Sequence, residues 1–155
     1  MLTWGKGWGN RELVLDGATV GVFQQGTFRE RAEIDLPDGR WTFAKQFGGD
    51  IVGTGPLGDA GPRFVARKTS FWTYSWTVWT PVATYELKSG FFASGFDVLR
   101  DGVGIGSAGR AGTFTNRFSL DLPPDVPLQD QVFLLWVVEA SERRRDSSSA
   151  AGAST

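Results

Sequence analysis

Val132-Phe133-Leu134-Leu135-Trp136-Val137-Val138 is an unbroken apolar run near the end of a chain that is otherwise punctuated by glycine, and its reading decides the fold. Upstream lies Pro123-Pro124-Asp125-Val126-Pro127. Asp125 is placed to cap a helix, and Pro127 fits a first turn, where its missing N–H costs nothing. No breaker follows from Leu128 to about Glu142, so the spacing predicts one C-terminal helix there. Seven successive apolar residues cover nearly two turns and leave no polar face. Such a helix must be surrounded, either by a sheet of the same chain or by a partner. The run is about a third of the roughly 20 residues that a membrane span requires, and Glu139 and Glu142 come after it. The expectation is therefore a protein that does not span a membrane.

Working outward, residues 10 to 122 alternate short apolar or β-branched runs with Gly, Asp-Gly or Pro, the pattern of an all-antiparallel protein. Candidate strands are Leu13–Leu15, Thr19–Phe23, Phe28–Ile34, Arg40–Phe47, Asp50–Thr54, Arg63–Thr69, Phe71–Trp79, Val82–Leu87, Phe91–Arg100, Val103–Ile105 and Thr113–Leu120. Turns are expected at Asp16-Gly17, Asp38-Gly39, Gly48-Gly49, Ser89-Gly90 and Asp101-Gly102, where glycine supplies the positive φ of a two-residue hairpin. In Phe71–Trp79 the period of two puts Trp72, Tyr74, Trp76 and Val78 on one face and Thr73, Ser75 and Thr77 on the other, one buried and one wet. The organisation read from this is an N-terminal Trp/Gly segment over 1–9, one barrel domain over 10–142, and a disordered polar tail over 143–155 containing Arg143-Arg144-Arg145.

Composition narrows the function. The 155 residues carry 16 Lys+Arg against 17 Asp+Glu, a formal net charge of −1, which gives no electrostatic reason to expect nucleic acid as a partner. Histidine and cysteine are both absent. That removes Ser-His-Asp and Cys-His catalysis, ordinary zinc sites, Fe–S clusters and disulfides. No cofactor and no metal are expected, and no enzymatic constellation is recognisable. The N-terminus lacks a basic start followed by an apolar run, so the reading is cytoplasmic.

Two segments align at a spacing of about 86 residues. Gly26-Thr27-Phe28-Arg29-Glu30-Arg31-Ala32-Glu33-Ile34-Asp35-Leu36-Pro37 matches Gly112-Thr113-Phe114-Thr115-Asn116-Arg117-Phe118-Ser119-Leu120-Asp121-Leu122-Pro123. Each comes after an Asp-Gly hairpin, Asp16-Gly17 with Val20-Gly21-Val22 and Asp101-Gly102 with Val103-Gly104-Ile105. With the apolar C-terminal helix, these elements resemble the tubby C-terminal-like superfamily, which includes the phospholipid scramblases and LURP-one-related proteins. The resemblance spans about residues 10 to 142. It implies a mainly β fold, a closed antiparallel barrel of about twelve strands wrapped around a hydrophobic C-terminal helix. It also implies a non-enzymatic, membrane-peripheral module that binds anionic phospholipid, phosphoinositide among them, or another protein. The basic side chains available for an anionic headgroup are Arg63, Arg67 and Lys68, with Lys45 and Lys88 dispersed elsewhere.

Two further patterns invite a functional reading. Gly104-Ile105-Gly106-Ser107-Ala108-Gly109 fits G-x-G-x-x-G, but Arg110-Ala111-Gly112-Thr113-Phe114-Thr115 after it reads as loop and strand, not the helix of a βαβ unit. Asp35 and Asp121 are a carboxylate pair that the repeat places equivalently, and acid/base work on a glycoside would need them close together. Strand-end turn chemistry explains both more simply. A calycin-like carrier of a small hydrophobic ligand is the main alternative. It is distinguished by its helix, which packs outside an open cavity.

Overall fold

The computed structural model describes residues 1–4, 11–25, 31–61, 63–69, 75–89, 95–110 and 118–153. Twelve strands run in sequence order: β1 (Leu2–Trp4), β2 (Arg11–Leu15), β3 (Ala18–Gln25), β4 (Arg31–Leu36), β5 (Gly39–Lys45), β6 (Ile51–Thr54), β7 (Arg63–Lys68), β8 (Trp76–Trp79), β9 (Thr84–Ser89), β10 (Gly95–Arg100), β11 (Val103–Arg110) and β12 (Phe118–Asp121). One helix comes last, α1 (Leu128–Ala153). Each strand pairs antiparallel with its neighbours in sequence, and β1 pairs with β12, so the sheet closes into a barrel. Closure removes every free sheet edge.

Two sequence boundaries shift. Leu2–Trp4, expected to lie outside the barrel, is the strand that closes it: Leu2 pairs with both Leu15 and Leu120 and is fully buried. The helix also continues beyond Glu142 to Ala153, over most of the expected tail. Asp125 does not cap α1. It is exposed and holds Arg100 at 3.0 Å, while Gln131 N–H donates to the Pro127 carbonyl. Ser89-Gly90, Trp8, Trp72 and Tyr74 involve residues outside the described set.

The period of two is plain in β4 and β8. In β4 the pattern is exposed Arg31, buried Ala32, then buried Ile34 and Leu36 alternating with half-exposed Glu33 and Asp35. In β8, Trp76 and Val78 point inward, while Thr77 and Trp79 face out. The inward side chains meet α1 on the barrel axis. Val132 to Val138 are at most 8% exposed. Phe133 packs against Phe43 of β5 and Phe64 of β7, with ring centroids 5.3 and 5.6 Å apart. Trp136 reaches Phe43 at 5.8 Å. Near the far end of the buried stretch, Trp76 Nε1–H donates to Ser141 Oγ at 3.1 Å. Gly53 lets the helix come this close, because a Cβ there would stand 3.2 Å from both Phe133 and Phe43.

Two hairpins share a geometry. Asp16 and Gly17 have φ of 50° and 87°, and Asp101 and Gly102 have 50° and 86°, both central residues in the left-handed region that a type I′ turn requires. Each hairpin then slips register by one residue, between Leu13 and Val14 and between Val98 and Leu99. Past each slip stands a glycine with no room for a side chain. A Cβ on Gly21 would meet Leu36 and the Asp35 carbonyl, and one on Gly106 would meet Leu122 and the Asp121 carbonyl.

Candidate functional site

Because every strand neighbours the next in sequence, alternate connections fall on opposite ends of the barrel. The β2–β3, β4–β5, β6–β7, β8–β9 and β10–β11 connections share one end with the start of α1, the entry rim. The β1–β2, β3–β4, β5–β6, β7–β8, β9–β10 and β11–β12 connections share the other, the exit rim, toward which α1 runs. The helix direction is fixed by its contacts, with Asp130 beside Thr80 and Tyr85 at the entry rim and Ser141 beside Trp76 at the exit rim.

This sorting separates charge that the net value conceals. At or beside the entry rim stand Asp16, Asp35, Asp38, Asp101, Asp121 and Asp125. The basic residues there are Arg40, Arg63 and Arg100. Arg40 is held by Asp35 at 2.9 Å, Arg100 by Asp125 at 3.0 Å, and the N-terminal ammonium by Asp16 at 2.6 Å. At the exit rim the strand ends carry Arg31, Lys45, Lys68 and Lys88, with Glu12, Asp50 and Asp97 at the same end and Lys88 3.4 Å from Glu86, and Arg143-Arg144-Arg145 continue α1 directly after the buried Glu139 and Glu142. The segments joining strands at the exit rim include Trp8, Phe28, Phe71, Trp72, Phe91 and Phe114 in their sequences, whereas those at the entry rim contain no aromatic residue.

The sequence candidates divide between the rims. Arg63 and Arg67 both face outward from β7 but stand roughly 13 Å apart along the strand, with Arg63 at the entry rim. Arg67 donates from Nη2 to Asp50 Oδ2 at 3.0 Å and from Nε to both Asp50 oxygens at 3.3 Å. Its guanidinium also lies 5.9 Å from the centroid of the Trp79 ring, on the outer face. Lys68 is next along the strand at the exit rim, half-buried. Arg67 and Lys68 are thus neighbours along β7 but on opposite faces, Arg67 outward and Lys68 on the side of Phe64 and Ala66, while Arg63 stands apart at the entry rim. The register places Lys45 near Lys68 on that inward-facing side, since Lys45 pairs with Ile51 and Ile51 with Ala66. Lys45 is dispersed from Lys68 in sequence, and strand parity with consecutive antiparallel pairing is the signal that gathers the two.

The turn between Lys45 and Ile51 completes this corner. Gln46 N–H donates to the Asp50 carbonyl at 2.6 Å and Gly49 N–H to the Gln46 carbonyl at 3.0 Å. Gly48 and Gly49 have φ of +102° and +100°, which other residues rarely adopt. Phe47 stands at the tip, fully exposed.

A buried polar cluster stands at the entry end of the interior. Asp130 is buried in the first turn of α1, accepting a hydrogen bond from the Tyr85 hydroxyl at 2.7 Å, with the Thr80 hydroxyl 3.0 Å from the same oxygen. Burial raises the Asp130 carboxyl above the ordinary range, and the bonds from Tyr85 and Thr80 pull it partly back. Burial, then the bond to Asp130, raises the Tyr85 phenol. The cluster ties the helix entrance to β9 and to the β8–β9 connection.

Asp35 and Asp121 do not form a catalytic pair. They lie on β4 and β12, four strands apart around the wall, roughly 19 Å at the usual strand spacing. Carboxylates that cleave glycosides stand about 5 to 9.5 Å apart. Gly104 to Gly109 lie entirely within β11, so the G-x-G-x-x-G pattern is a strand and not a phosphate loop. Among the described residues no group of three or more Asp and Glu could hold a metal ion, and no helix is long and apolar enough to cross a membrane. Compared with protein families, curated proteins and solved structures, the chain matches none.

Proposed function

We propose that this chain is a tubby-like barrel acting without chemistry of its own as a membrane-peripheral module, docking on surfaces of anionic phospholipid. The observation that carries this reading is the axial separation of charge, with a basic exit rim opposite an acidic entry rim. A molecule of near-zero net charge but large axial asymmetry is turned by a negative surface, basic end inward. Two further observations support it. α1 occupies the axis that a calycin-like carrier would keep open for its ligand, which favours a surface role over an interior one. The matched hairpins at Asp16-Gly17 and Asp101-Gly102 favour a duplicated architecture of the tubby-like kind. A cytoplasmic location at a membrane surface goes with this reading.

Sedimentation with vesicles tests it. The protein is expected to pellet with vesicles of phosphatidylcholine containing phosphatidylserine or a phosphoinositide and to stay in the supernatant with phosphatidylcholine alone. Equal recovery in the supernatant with all three compositions overturns the reading. Equal pelleting with phosphatidylserine and phosphoinositide at matched charge assigns recognition to charge density; preference for the phosphoinositide assigns it to the headgroup.

A further inference from the structure

We propose that the seam of the barrel is a docking site for β1 of a second copy of this chain: β1 leaves the channel between β2 and β12, and the same strand of a neighbouring molecule takes its place, giving a strand-exchanged dimer. The inference is independent of the membrane reading above.

Every pairing around the barrel joins strands consecutive in sequence except that of β1 with β12. This pairing is also thin. β1 is the shortest described strand, with 3 residues, and its register partners on β12 are those of Leu2 and Thr3 alone. Opening it costs the contacts of one short strand, while β2 through β12 stay paired in sequence around α1. What opening exposes is specific. The edges of β2 and β12 then carry unpaired N–H and C=O groups, a template for another strand. Between them lie two sockets: Leu2 is fully buried, and Trp4 is buried with its ring edge-on to Phe23 at a centroid distance of 5.0 Å. A strand that fills both must present two large apolar side chains two residues apart. Thr3 stands between them on the outer face, and its hydroxyl donates to the Phe118 carbonyl at 3.2 Å. β1 of another copy meets each of these demands, and exchange restores every contact that opening loses. The sequence between β1 and β2, Gly5-Lys6-Gly7-Trp8-Gly9-Asn10, holds three glycines and reaches up to about 20 Å when extended, enough to lead into a neighbour's seam. So short a connection keeps β1 beside its own seam at an effective concentration on the order of mM, so the exchanged dimer is favoured as protein concentration nears that value.

The chain has no cysteine, and the register sets Thr3 opposite Ser119, so introduced thiols at these two positions report which β1 occupies which seam. Thr3→Cys and Ser119→Cys on one chain, oxidised in dilute solution, are expected to form a disulfide within that chain; failure to form it overturns the seam register and the proposal with it. The two substitutions are then placed on separate chains, one of them isotope-labelled, unfolded together in urea, and refolded at about 1 mM or about 0.01 mM before oxidation. At the higher concentration, a cross-link between position 3 of one chain and position 119 of the other is expected to exceed the 3-to-3 and 119-to-119 products by roughly tenfold, because only an exchanged strand aligns the unlike pair. At the lower concentration it should be lost. Adding Leu2→Asp to the Thr3→Cys chain is expected to abolish the mixed cross-link, since a carboxylate would enter a fully buried apolar socket without a partner. Absence of the mixed product at the higher concentration, mixed and like products in statistical proportion, or a mixed product indifferent to Leu2→Asp each overturns strand exchange.

Discussion

Two glycines of one strand should behave in opposite ways. A Cβ on Gly106 would run into the Asp121 carbonyl, whereas one on Gly104 would meet nothing within 4 Å. Gly106→Ala is expected to cost about 1–3 kcal/mol through overpacking, and Gly104→Ala to be neutral or stabilising by up to about 1 kcal/mol. Urea unfolding of both decides whether the glycine pattern of β11 serves strand packing; equal effects would count against it. Asp130 sets a second test. Its carboxyl is raised by burial, so the folded state binds that proton more tightly than the unfolded one. Its contribution therefore favours folding at low pH and is lost as pH rises from the ordinary Asp value of about 3.9 through the raised folded value. Asp130→Asn keeps an oxygen for Tyr85 and drops the titration. The wild type is expected to lose stability relative to this variant as pH rises through that window, with a constant gap above it; parallel curves would refute the assignment. Tyr85→Phe, which strips a donor from the buried carboxylate, should cost about 1.5–3 kcal/mol at neutral pH.

The elements differ in how openly the sequence declares them. α1 is legible because seven adjacent apolar residues leave no solvent face, and its burial inside the barrel is the consequence once the sheet closes. Phe133 is its deepest anchor, between Phe43 and Phe64. Phe133→Ala is expected to cost about 3–5 kcal/mol, measured by denaturant unfolding. The Asp-Gly hairpins are equally legible, since their turns demand positive φ at both central residues. β1 is not. Leu2-Thr3-Trp4 contains one in–out–in alternation, too short for periodicity to register, and its worth comes from two partners distant in sequence, Leu15 and Leu120. The corner at Phe47 is hidden for a related reason. Phe47 reads as the end of an apolar strand over Arg40–Phe47, but β5 stops at Lys45 and the ring passes into the turn. Arg67 and Lys68 are legible as basic residues; that Asp50 holds Arg67 depends on a register that local pattern does not carry.

At the scale of the molecule, a net charge of −1 gives the wrong impression of electrostatic indifference, because it sums two ends that strand direction keeps apart. The separation makes a quantitative demand on membrane binding. A basic residue close to an anionic surface contributes about 1 kcal/mol, so replacing Lys45, Lys68 and Lys88 together by Gln should weaken binding to phosphatidylserine vesicles on the order of a hundredfold. Arg63→Gln together with Arg100→Gln, which removes two charges from the entry rim, should change binding less than a double variant of the exit-rim lysines does. Salt provides the independent arm. The screening length falls from about 30 Å at 0.01 M to about 8 Å at 0.15 M, so wild-type affinity should drop steeply over that range and the affinity of the triple lysine variant much less. Were the two double variants from opposite rims to weaken binding equally, net charge and not its axial arrangement would govern the interaction, and the barrel would have no preferred end.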